Sequence, residues 1–257
     1  MKIYRYKYKN KAYWGVLREE SLFPIIGSLF KEFKVKGEGV PASRVILLAP
    51  AEPTKIVAVG ANYRNHAREM GRPLPEEPLL FLKPPSAVVG PGEIIIYPRM
   101  AKRVDYEGEL ALVIKKKARN LGDDEEVEDF ILGYTCLNDV TARDLQQKDG
   151  QFTRSKSFDT FAPVGPCIAT DVDPSGLRLK TFLNGKLKQS SSTKNLIFPV
   201  SFLVRFISRI MTLNPGDIIS TGTPSGVGPM SAGDRVDVQI EGIGTLSNTV
   251  MKIKEEV

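Results

Sequence analysis

Two glutamates that stand two residues apart, Glu107 and Glu109, are the side chains of this sequence best placed to do chemistry together. They lead directly into the apolar stretch Leu110–Ile114, which is typical of a buried β-strand. Because side chains alternate between the two faces of a strand, both carboxylates project to the same side. Adjacent carboxylates repel each other unless a cation lies between them. The pair therefore predicts a cation site.

A third carboxylate, Asp139, lies near the end of the apolar segment Phe130–Val140, where an uncompensated charge would be costly. Three acids with no histidine or cysteine among them favour a hard divalent cation, Mg²⁺ or Mn²⁺, over zinc. The alternative interpretation is a solvated pair of surface glutamates, with Asp139 capping a helix.

His66 is the only histidine of the chain, so any mechanism that uses an imidazole must use this residue. It follows the apolar run Ile56–Val59 and precedes Glu69 by three residues, so a helical segment would bring both side chains to one face. A carboxylate in that position orients the ring and raises its basicity, as general-base activation of water requires. The alternative is an exposed His–Glu pair on a short surface helix.

Further polar residues lie close to these acids in the sequence or in glycine-rich segments: Arg143, Gln146, Lys156 and Thr223. Three carboxylates and one divalent cation leave about one negative charge, so a nearby cation and an anionic ligand are expected only together. Lys156 is predicted to supply that positive charge and to contact the ligand from outside the carboxylate set. The alternatives are a solvated surface lysine at position 156 and a simple turn residue at position 223.

The elements that must position these residues are mainly strands. Short apolar runs of strand length, separated by glycine and proline, occupy Ile56–Val59, Leu79–Leu82, Leu110–Ile114, Ile168–Thr170, Leu179–Leu183, Val236–Ile240 and Thr249–Ile253. Helices are predicted at Asn65–Met70, Asp124–Leu132 and Phe198–Met211. The predicted fold class is α+β, mainly β, without the regular strand–helix alternation of a doubly wound fold.

The first residues alternate basic side chains with aromatic and aliphatic ones, which is typical of a two-faced strand or hairpin, with Lys9, Asn10 and Lys11 at its turn. Glycine and proline then mark the end of this segment near Pro50. The pattern predicts a small N-terminal β-rich domain over residues 1–52 and a larger domain over residues 53–257.

The bulk composition is that of an ordinary globular protein, with 257 residues of which 42% are hydrophobic and 26% are charged. The net charge of +6 leaves a basic, non-enzymatic nucleic-acid-binding protein as a distant alternative, but the N-terminal lysines are interpreted as the solvated face of the hairpin. No apolar run has membrane-spanning length and no secretion signal is recognisable, so a cytoplasmic location is expected. Cys136 and Cys167 are predicted to be buried free thiols.

Together these segments resemble the fumarylacetoacetate hydrolase family. Five motifs carry the resemblance, in the order of the family and across about residues 53–253. They are Asn62-Tyr63 with His66 and Glu69, Glu107 with Glu109, Asn138-Asp139 with Arg143, Asp144 and Gln146, then Lys156–Asp159, and finally Thr221–Gly228.

The resemblance implies a mixed β-roll catalytic domain preceded by a small β-rich domain, as in short prokaryotic members, and a homodimer. It implies Mg²⁺ or Mn²⁺ on Glu107, Glu109 and Asp139, chelating the 2-oxo (or enol) and carboxylate oxygens of a small substrate. The implied substrate-binding residues are Tyr63, Arg143, Gln146, Lys156 and Thr223. The implied catalytic residues are His66, Glu69 and Lys156, with the His–Glu pair activating water on a lid.

The expected activity is hydrolysis of a carbon–carbon bond in an acylpyruvate-type substrate, or decarboxylation of oxaloacetate, through a metal-bound enolate. The alternative is a 2-hydroxyhepta-2,4-diene-1,7-dioate isomerase or 5-oxopent-3-ene-1,2,5-tricarboxylate decarboxylase type of activity in aromatic catabolism. Hydrolysis or decarboxylation is preferred because tautomerisation needs proton transfer but no activated water.

Overall fold

Strands dominate the computed structural model, which describes residues 1–69, 71 and 73–252, except the side chain of Ala67. The strands are β1 (Lys2–Tyr8), β2 (Lys11–Arg18), β3 (Ser21–Gly27), β4 (Phe33–Val35), β5 (Val40–Pro41), β6 (Ile46–Leu48), β7 (Ile56–Gly60), β8 (Leu79–Lys83), β9 (Val88–Val89), β10 (Ile94–Ile96), β11 (Val104–Tyr106), β12 (Gly108–Ile114), β13 (Ile131–Asn138), β14 (Thr141–Ala142), β15 (Ala162–Ala169), β16 (Arg178–Leu183), β17 (Lys186–Ser192), β18 (Ile218–Ser220), β19 (Gly228–Met230), β20 (Arg235–Ile240) and β21 (Gly244–Met251). The α-helices are α1 (Arg64–Glu69), α2 (Arg143–Asp149), α3 (Thr153–Lys156) and α4 (Val200–Ile210). Short 3₁₀ helices occupy Ala42–Arg44, Pro85–Ala87, Val127–Phe130 and Thr193–Asn195.

Three sheets organise these strands, and the predicted α+β, mainly β class is confirmed. The large sheet has the central order β4-β3-β2-β1-β15-β13-β12-β18-β7-β8, with β5, β6 and β9 attached beside it. A second sheet has the order β10-β21-β20-β16-β17, and a third, small sheet has the order β14-β11-β19. Strand β12, which carries Glu109, lies deep in the large sheet between β13 and β18.

The main hydrophobic core lies between the large sheet and the second sheet. Leu110 and Leu112 of β12 belong to the same buried cluster as Leu179 of β16 and Val238 of β20. Alternation along β12 therefore decides which side chains enter this core and which face the other side of the sheet. The strand is buried along its whole length, so it forms a rigid base for the acids at its start.

The N-terminal hairpin is confirmed, with Tyr8 paired to Lys11 across its turn. Lys9 and Asn10 have φ values of 47° and 62°, as a tight two-residue hairpin turn requires. Strand β1 also pairs with β15, from Lys2 opposite Ala169, so the N-terminal strands continue the large sheet. A domain boundary near residue 52 would fall between β6 and β7 and stays a prediction.

The predicted strands all overlap observed strands, although Ile253 lies outside the described residues. The largest difference is at Ile168–Thr170, where β15 already begins at Ala162 and ends at Ala169. Cys136 and Cys167 are buried free thiols, as predicted. No helix among the described residues has the length and apolar character needed to cross a membrane.

The helix predictions were only partly correct. The segment Phe198–Met211 contains α4, and Asn65–Met70 overlaps α1, with Met70 outside the described residues. The helix predicted at Asp124–Leu132 is wrong, because only Val127–Phe130 forms a 3₁₀ turn before β13 begins. Like charges at i and i+4, Asp124 with Glu128 and Glu125 with Asp129, disfavour an α-helix in this segment, and only its last two residues join β13. Helices α2 and α3 were not predicted.

Candidate active site

Three carboxylates meet where β12 begins and β13 ends. The two strands run antiparallel, with Gly108 opposite Asn138, so the residues flanking this pair are brought together. The backbone N–H of Asp139 donates to the carbonyl of Glu107 over 2.8 Å. Ligand oxygens of Glu107, Glu109 and Asp139 all lie within 4.8 Å of one another, and all three residues are buried. The alternative of solvated surface glutamates is therefore wrong.

Two buried lysines contact the same carboxylates. Lys156 donates to Glu107 Oε2 over 2.9 Å and to Asp139 Oδ2 over 2.5 Å. Lys83, at the end of β8, donates to Asp139 Oδ1 over 2.6 Å and to the carbonyl of Val140 over 3.2 Å. The ammonium group of Lys156 thus bridges two of the three acids, and its predicted contact with a ligand stays a prediction.

Sequence reasoning missed Lys83, which is 0% exposed. A signal was present, because Lys83 is the one charged residue of the otherwise apolar strand β8. A buried lysine requires a partner of opposite charge, which here is Asp139. Together with Lys156, it gives the carboxylate of Asp139 two cationic partners, as many as Glu107 has in Lys156 and Arg143.

The surroundings shift the pKa values of these groups in different directions. Burial opposes ionisation of Glu107, but the nearby Lys156 and Arg143 outweigh it and lower the pKa of this carboxyl. Burial, followed by the neighbouring carboxylates of Asp139 and Glu107, raises the pKa of Glu109 well above its ordinary value. Burial also lowers the pKa of Lys83, whereas Asp139 and Glu107 overcome burial and raise that of Lys156. A further cation would thus stabilise ionised Glu109.

Arg143, the first residue of α2, is held in place by several partners. Its Nε donates to Asp105 Oδ2 over 2.9 Å, its Nη1 to Gln146 Oε1 over 2.6 Å, and its Nη2 to Glu107 Oε1. Asp105 also accepts two hydrogen bonds from Arg103, so its carboxylate belongs to this arginine pair and not to the acidic triad. Arg143 therefore braces Glu107 on the side away from Lys156.

His66 and Glu69 meet on α1, directly after β7. The ring nitrogen Nδ1 of His66 lies 3.1 Å from Glu69 Oε2, and the backbone N–H of Gly226 donates to Glu69 Oε1 over 3.1 Å. His66 is buried, whereas the side chain of Glu69 is 39% exposed. The alternative of a fully exposed His–Glu pair is therefore wrong for the histidine.

A cavity opens onto these groups. Of the residues predicted to form the site, those lining it are His66, Glu107, Glu109, Arg143, Gln146, Lys156 and Thr223. Apolar and aromatic side chains form the remaining wall, including Phe81 and Phe152, whose rings meet edge to face. The cavity thus combines one charged wall with one apolar wall.

Tyr63 and Thr223 have surroundings that the sequence did not predict. Tyr63 is completely buried beside Glu109 and is not one of the residues lining the cavity; its hydroxyl has no hydrogen-bond partner within the described part of the chain. The hydroxyl of Thr223 donates to the carbonyl of Gly108 over 2.9 Å and accepts from Gln189 over 2.8 Å. To hold a ligand, the hydrogen of Thr223 must turn away from Gly108.

The carboxylate cluster fits a hard divalent cation. It offers three oxygen ligands and no sulfur or nitrogen, the donor set that Mg²⁺ or Mn²⁺ prefers. Glu109 supports this fit, because its hydrogen-bond donors among the described residues are the neutral hydroxyl of Ser220 and the backbone N–H of Gly222. The residues that would hold the cation are therefore Glu107, Glu109 and Asp139.

Sequence comparison matches two family descriptions along the chain. Residues 55–251 match the family model described as fumarylacetoacetate (FAA) hydrolase C-terminal. Residues 1–50 match the family model described as Rv2993c-like, N-terminal. Oxaloacetate tautomerase YisK of Bacillus subtilis is 44% identical over 223 residues, which cover 81% of this chain and 74% of that protein.

Two solved structures extend this similarity to the fold. The 2-hydroxyhepta-2,4-diene-1,7-dioate isomerase from Mycobacterium marinum is 42% identical with a TM-score of 0.92, covering 99% of this chain and 100% of that one. Maleylpyruvate hydrolase from Sphingobium sp. SYK-6, in complex with manganese(II) ion and pyruvate, is 29% identical with a TM-score of 0.82 and the same coverage. The three similar proteins are thus a tautomerase, an isomerase and a hydrolase.

Proposed function

The chain belongs to the fumarylacetoacetate hydrolase family, and from this premise we propose that it is a Mg²⁺- or Mn²⁺-dependent enzyme acting on 2-oxo (or enol) carboxylic acids. The observation that carries the proposal is the meeting of Glu107, Glu109 and Asp139 in one buried cluster that opens onto a cavity. The manganese and pyruvate of the similar maleylpyruvate hydrolase support it.

The charges around the cluster suit a particular kind of ligand. Three carboxylates face three cationic side chains, Lys83, Lys156 and Arg143, so the ionised cluster is close to neutral before a cation is added. A divalent cation would give it a surplus of positive charge. A 2-oxo acid in its enolate form carries negative charge on both its carboxylate and its enolate oxygen, which would offset that surplus.

A divalent cation bound by the three acids would act as a Lewis acid that polarises the 2-oxo group of the substrate. Lys156, which lines the cavity, can donate a hydrogen bond to the anionic head group. Arg143 keeps Glu107 oriented through its contacts with Asp105 and Glu107. Thr223 and Gln146 offer further polar contacts from the same cavity wall.

His66 is the proposed general base. When Nδ1 carries the hydrogen and donates to Glu69, the other ring nitrogen, Nε2, is the one able to accept a proton. A water molecule in the cavity could give up that proton and attack the carbonyl of an acylpyruvate-type substrate, which breaks a carbon–carbon bond. The protonated ring can return that proton to the carbon left by this cleavage. Decarboxylation of oxaloacetate uses no attacking water, so there the ring would pass a proton from solvent to the carbon that loses carbon dioxide. Hydrolysis or decarboxylation is therefore the proposed reaction.

Tautomerisation is a second candidate, favoured by the 44% identity to an oxaloacetate tautomerase. Isomerisation of a 2-hydroxy-dienoate diacid is its close variant, favoured by the similar isomerase structure. Both reactions need only proton transfer next to the 2-oxo group, so His66 could serve them without an activated water. A homodimer and a separate N-terminal domain over residues 1–52 are also proposed, as in the family resemblance.

The test is a substrate screen of the purified protein with Mg²⁺ or Mn²⁺, using acylpyruvates, oxaloacetate and a 2-hydroxy-dienoate diacid. The proposal expects at least one of these to be converted, and the conversion to stop when EDTA removes the metal. Cleavage of an acylpyruvate would identify hydrolysis. Release of carbon dioxide from oxaloacetate would identify decarboxylation. Exchange between keto and enol forms alone would identify tautomerisation. Conversion that continues undiminished in EDTA would contradict the proposed metal dependence.

A further inference from the structure

Gln189 is a buried amide in a strand that is otherwise largely exposed. It belongs to β17, where Lys186, Leu187, Lys188 and Ser190 are all exposed, whereas Gln189 is 0% exposed. An amide side chain at such a position loses its water and needs hydrogen bonds from the protein in exchange. Its partners therefore indicate why a glutamine occupies this position.

All the partners of Gln189 flank the candidate active site. Its Oε1 accepts from the backbone N–H of Gly108 over 3.0 Å. Its Nε2 donates to Thr223 Oγ1 over 2.8 Å and to the carbonyl of Pro224 over 2.9 Å. Gly108 lies between Glu107 and Glu109, and Thr223 lines the cavity. One side chain from the second sheet thus connects two segments of the site.

These contacts close a ring of hydrogen bonds around Gly108. Its N–H donates to Gln189, Gln189 donates to Thr223, and Thr223 donates back to the carbonyl of Gly108 over 2.9 Å. The ring fixes both peptide units that join Glu107 to Glu109, because one contributes the N–H of Gly108 and the other its carbonyl. The relative direction of the two glutamate side chains depends on these peptide units.

The second sheet also contacts Gly108 directly. A Cβ atom at residue 108 would lie 2.1 Å from Thr181 Oγ1 of β16 and 3.3 Å from Gln189 Oε1. Only glycine fits this close approach, since the obstructing side chains, Thr181 and Gln189, are themselves fully buried. Gly108, which separates the two glutamates, therefore packs closely against β16 and β17, on the side opposite the carboxylates.

We propose that Gln189 is a positioning residue that sets the spacing of the Glu107 and Glu109 carboxylates and holds the Thr223 hydroxyl at the cavity. This inference rests on the proposed function, because it assigns a role toward the proposed cation and ligand. The bond from Gln189 fixes the oxygen of Thr223 but leaves its single hydrogen able to turn from Gly108 to an anionic ligand. Residues that orient metal ligands in this way typically change metal affinity ten- to a hundredfold when they are replaced.

The first test is the affinity for Mn²⁺, measured by calorimetry on wild type and on Gln189→Met, which removes all three hydrogen bonds at similar volume. The expected result is Mn²⁺ binding weakened by about tenfold or more.

Asn248→Leu is the matched control. Asn248 is another buried amide of the second sheet, on β21, and it donates to the carbonyls of Gly90 and Glu93 over 2.9 and 2.8 Å. The control should lower the melting temperature but keep the wild-type affinity for Mn²⁺.

The second test uses Gln189→Glu, which keeps the shape of the side chain and the acceptor for the N–H of Gly108. This variant is expected to fold and to bind Mn²⁺, but it no longer donates to Thr223. Oxalate, a mimic of a 2-oxo acid enolate, should then bind the Mn²⁺-loaded variant about tenfold more weakly than the loaded wild type.

The outcomes separate this inference from the proposed function. A wild-type protein that does not bind Mn²⁺ would overturn the proposed function itself. A wild-type protein that binds Mn²⁺, together with a folded Gln189→Met variant of equal affinity, would overturn the role of Gln189. If Gln189→Met does not fold, unchanged oxalate binding by Gln189→Glu would overturn it.

Discussion

Two buried acids, Asp217 and Glu109, lie near opposite ends of the short strand β18, and their pKa values are shifted in opposite directions. Asp217, immediately before the strand, accepts from Thr54 and Lys55 through Oδ1 and from Asn214 and the ammonium group of Lys55 through Oδ2. At the other end, Ser220 donates to Glu109, which faces the carboxylates of Asp139 and Glu107. Both acids are almost inaccessible to solvent. Burial opposes ionisation of Asp217, but its bonds from Lys55 and Thr54 lower its pKa, whereas burial and the neighbouring acids raise that of Glu109.

The difference shows how a structural acid can be distinguished from a functional one. Asp217 has a donor for every direction of its carboxylate, so its charge is satisfied by the fold that it joins together. Within the described part of the chain the donors to Glu109 are neutral, and two other carboxylates lie beside it, an arrangement that costs stability unless an external cation is bound. A buried carboxylate in such surroundings, at a cavity, marks a candidate binding site.

The substitution Glu109→Gln is expected to have the largest effect on function. This change keeps the acceptor for Ser220 and Gly222 but removes one ligand charge. We expect turnover to fall by about a thousandfold, since a metal ion contributes several kcal/mol to transition-state stabilisation. The melting temperature in EDTA should stay the same or rise. The raised pKa of Glu109 means that its ionisation opposes folding, an effect that grows as pH rises above the ordinary pKa of a glutamate. A variant with wild-type Mg²⁺ affinity by calorimetry would contradict this assignment.

His66→Ala addresses the chemical step at the same site. Turnover should fall by about a hundredfold, the usual contribution of a general base, while the melting temperature barely changes. His66 lies on the six-residue helix α1, and its ring contacts Glu69 and lines the cavity. Steady-state kinetics and thermal unfolding on one preparation would separate the two effects. Normal turnover by the variant would remove His66 from the mechanism.

Asp217→Asn should lower the stability of the protein and leave its metal binding unchanged, the reverse of what is expected for Glu109→Gln. We expect a loss of about 2 kcal/mol in the free energy of unfolding, because the amide has one acceptor oxygen and cannot replace both oxygens of the carboxylate, each of which accepts hydrogen bonds. Mn²⁺ affinity should be unchanged, since Asp217 does not belong to the acidic triad. Urea unfolding and calorimetry would test both statements. A weakened metal site with unchanged stability would invalidate the distinction drawn between the two acids.

The smallest expected effect is the pH dependence of the loss of unfolding free energy in Asp217→Asn. Because the pKa of Asp217 is lowered in the folded state, its contribution to stability is fully present above the unfolded value of about 3.9 and is lost as pH falls through the folded value. The difference in unfolding free energy between wild type and Asp217→Asn should therefore shrink on acidification below about pH 4. A difference that stays constant across this range would show that the charge of Asp217 contributes nothing.

The sequence predicted the site better than it predicted the helices. The spacing of Glu107 and Glu109 needs only strand alternation, which holds wherever a strand forms. The helix at Asp124–Leu132 is wrong because its acids repel one another at i and i+4, and only its last two residues pair within β13. Lys83 could have been recognised as a charge inside an apolar strand.

Gln189 could not have been recognised in this way. Its neighbours in Lys186–Ser192 are polar except Leu187, so the segment is typical of an exposed strand. Its burial arises only because the second sheet packs against the large sheet at Gly108. The burial of Gln189 and the hydrogen-bond partners of Lys156 and Thr223 depend on contacts between elements distant in sequence, which local sequence patterns do not predict.

The central claim is that Glu107, Glu109 and Asp139 together bind one divalent cation. Its most direct test is a crystal of the protein soaked in Mn²⁺ and measured for anomalous scattering. We predict one strong anomalous peak surrounded by carboxylate oxygens of all three residues. A fully soaked crystal with no peak at this position, or with its Mn²⁺ bound only elsewhere, would contradict the claim.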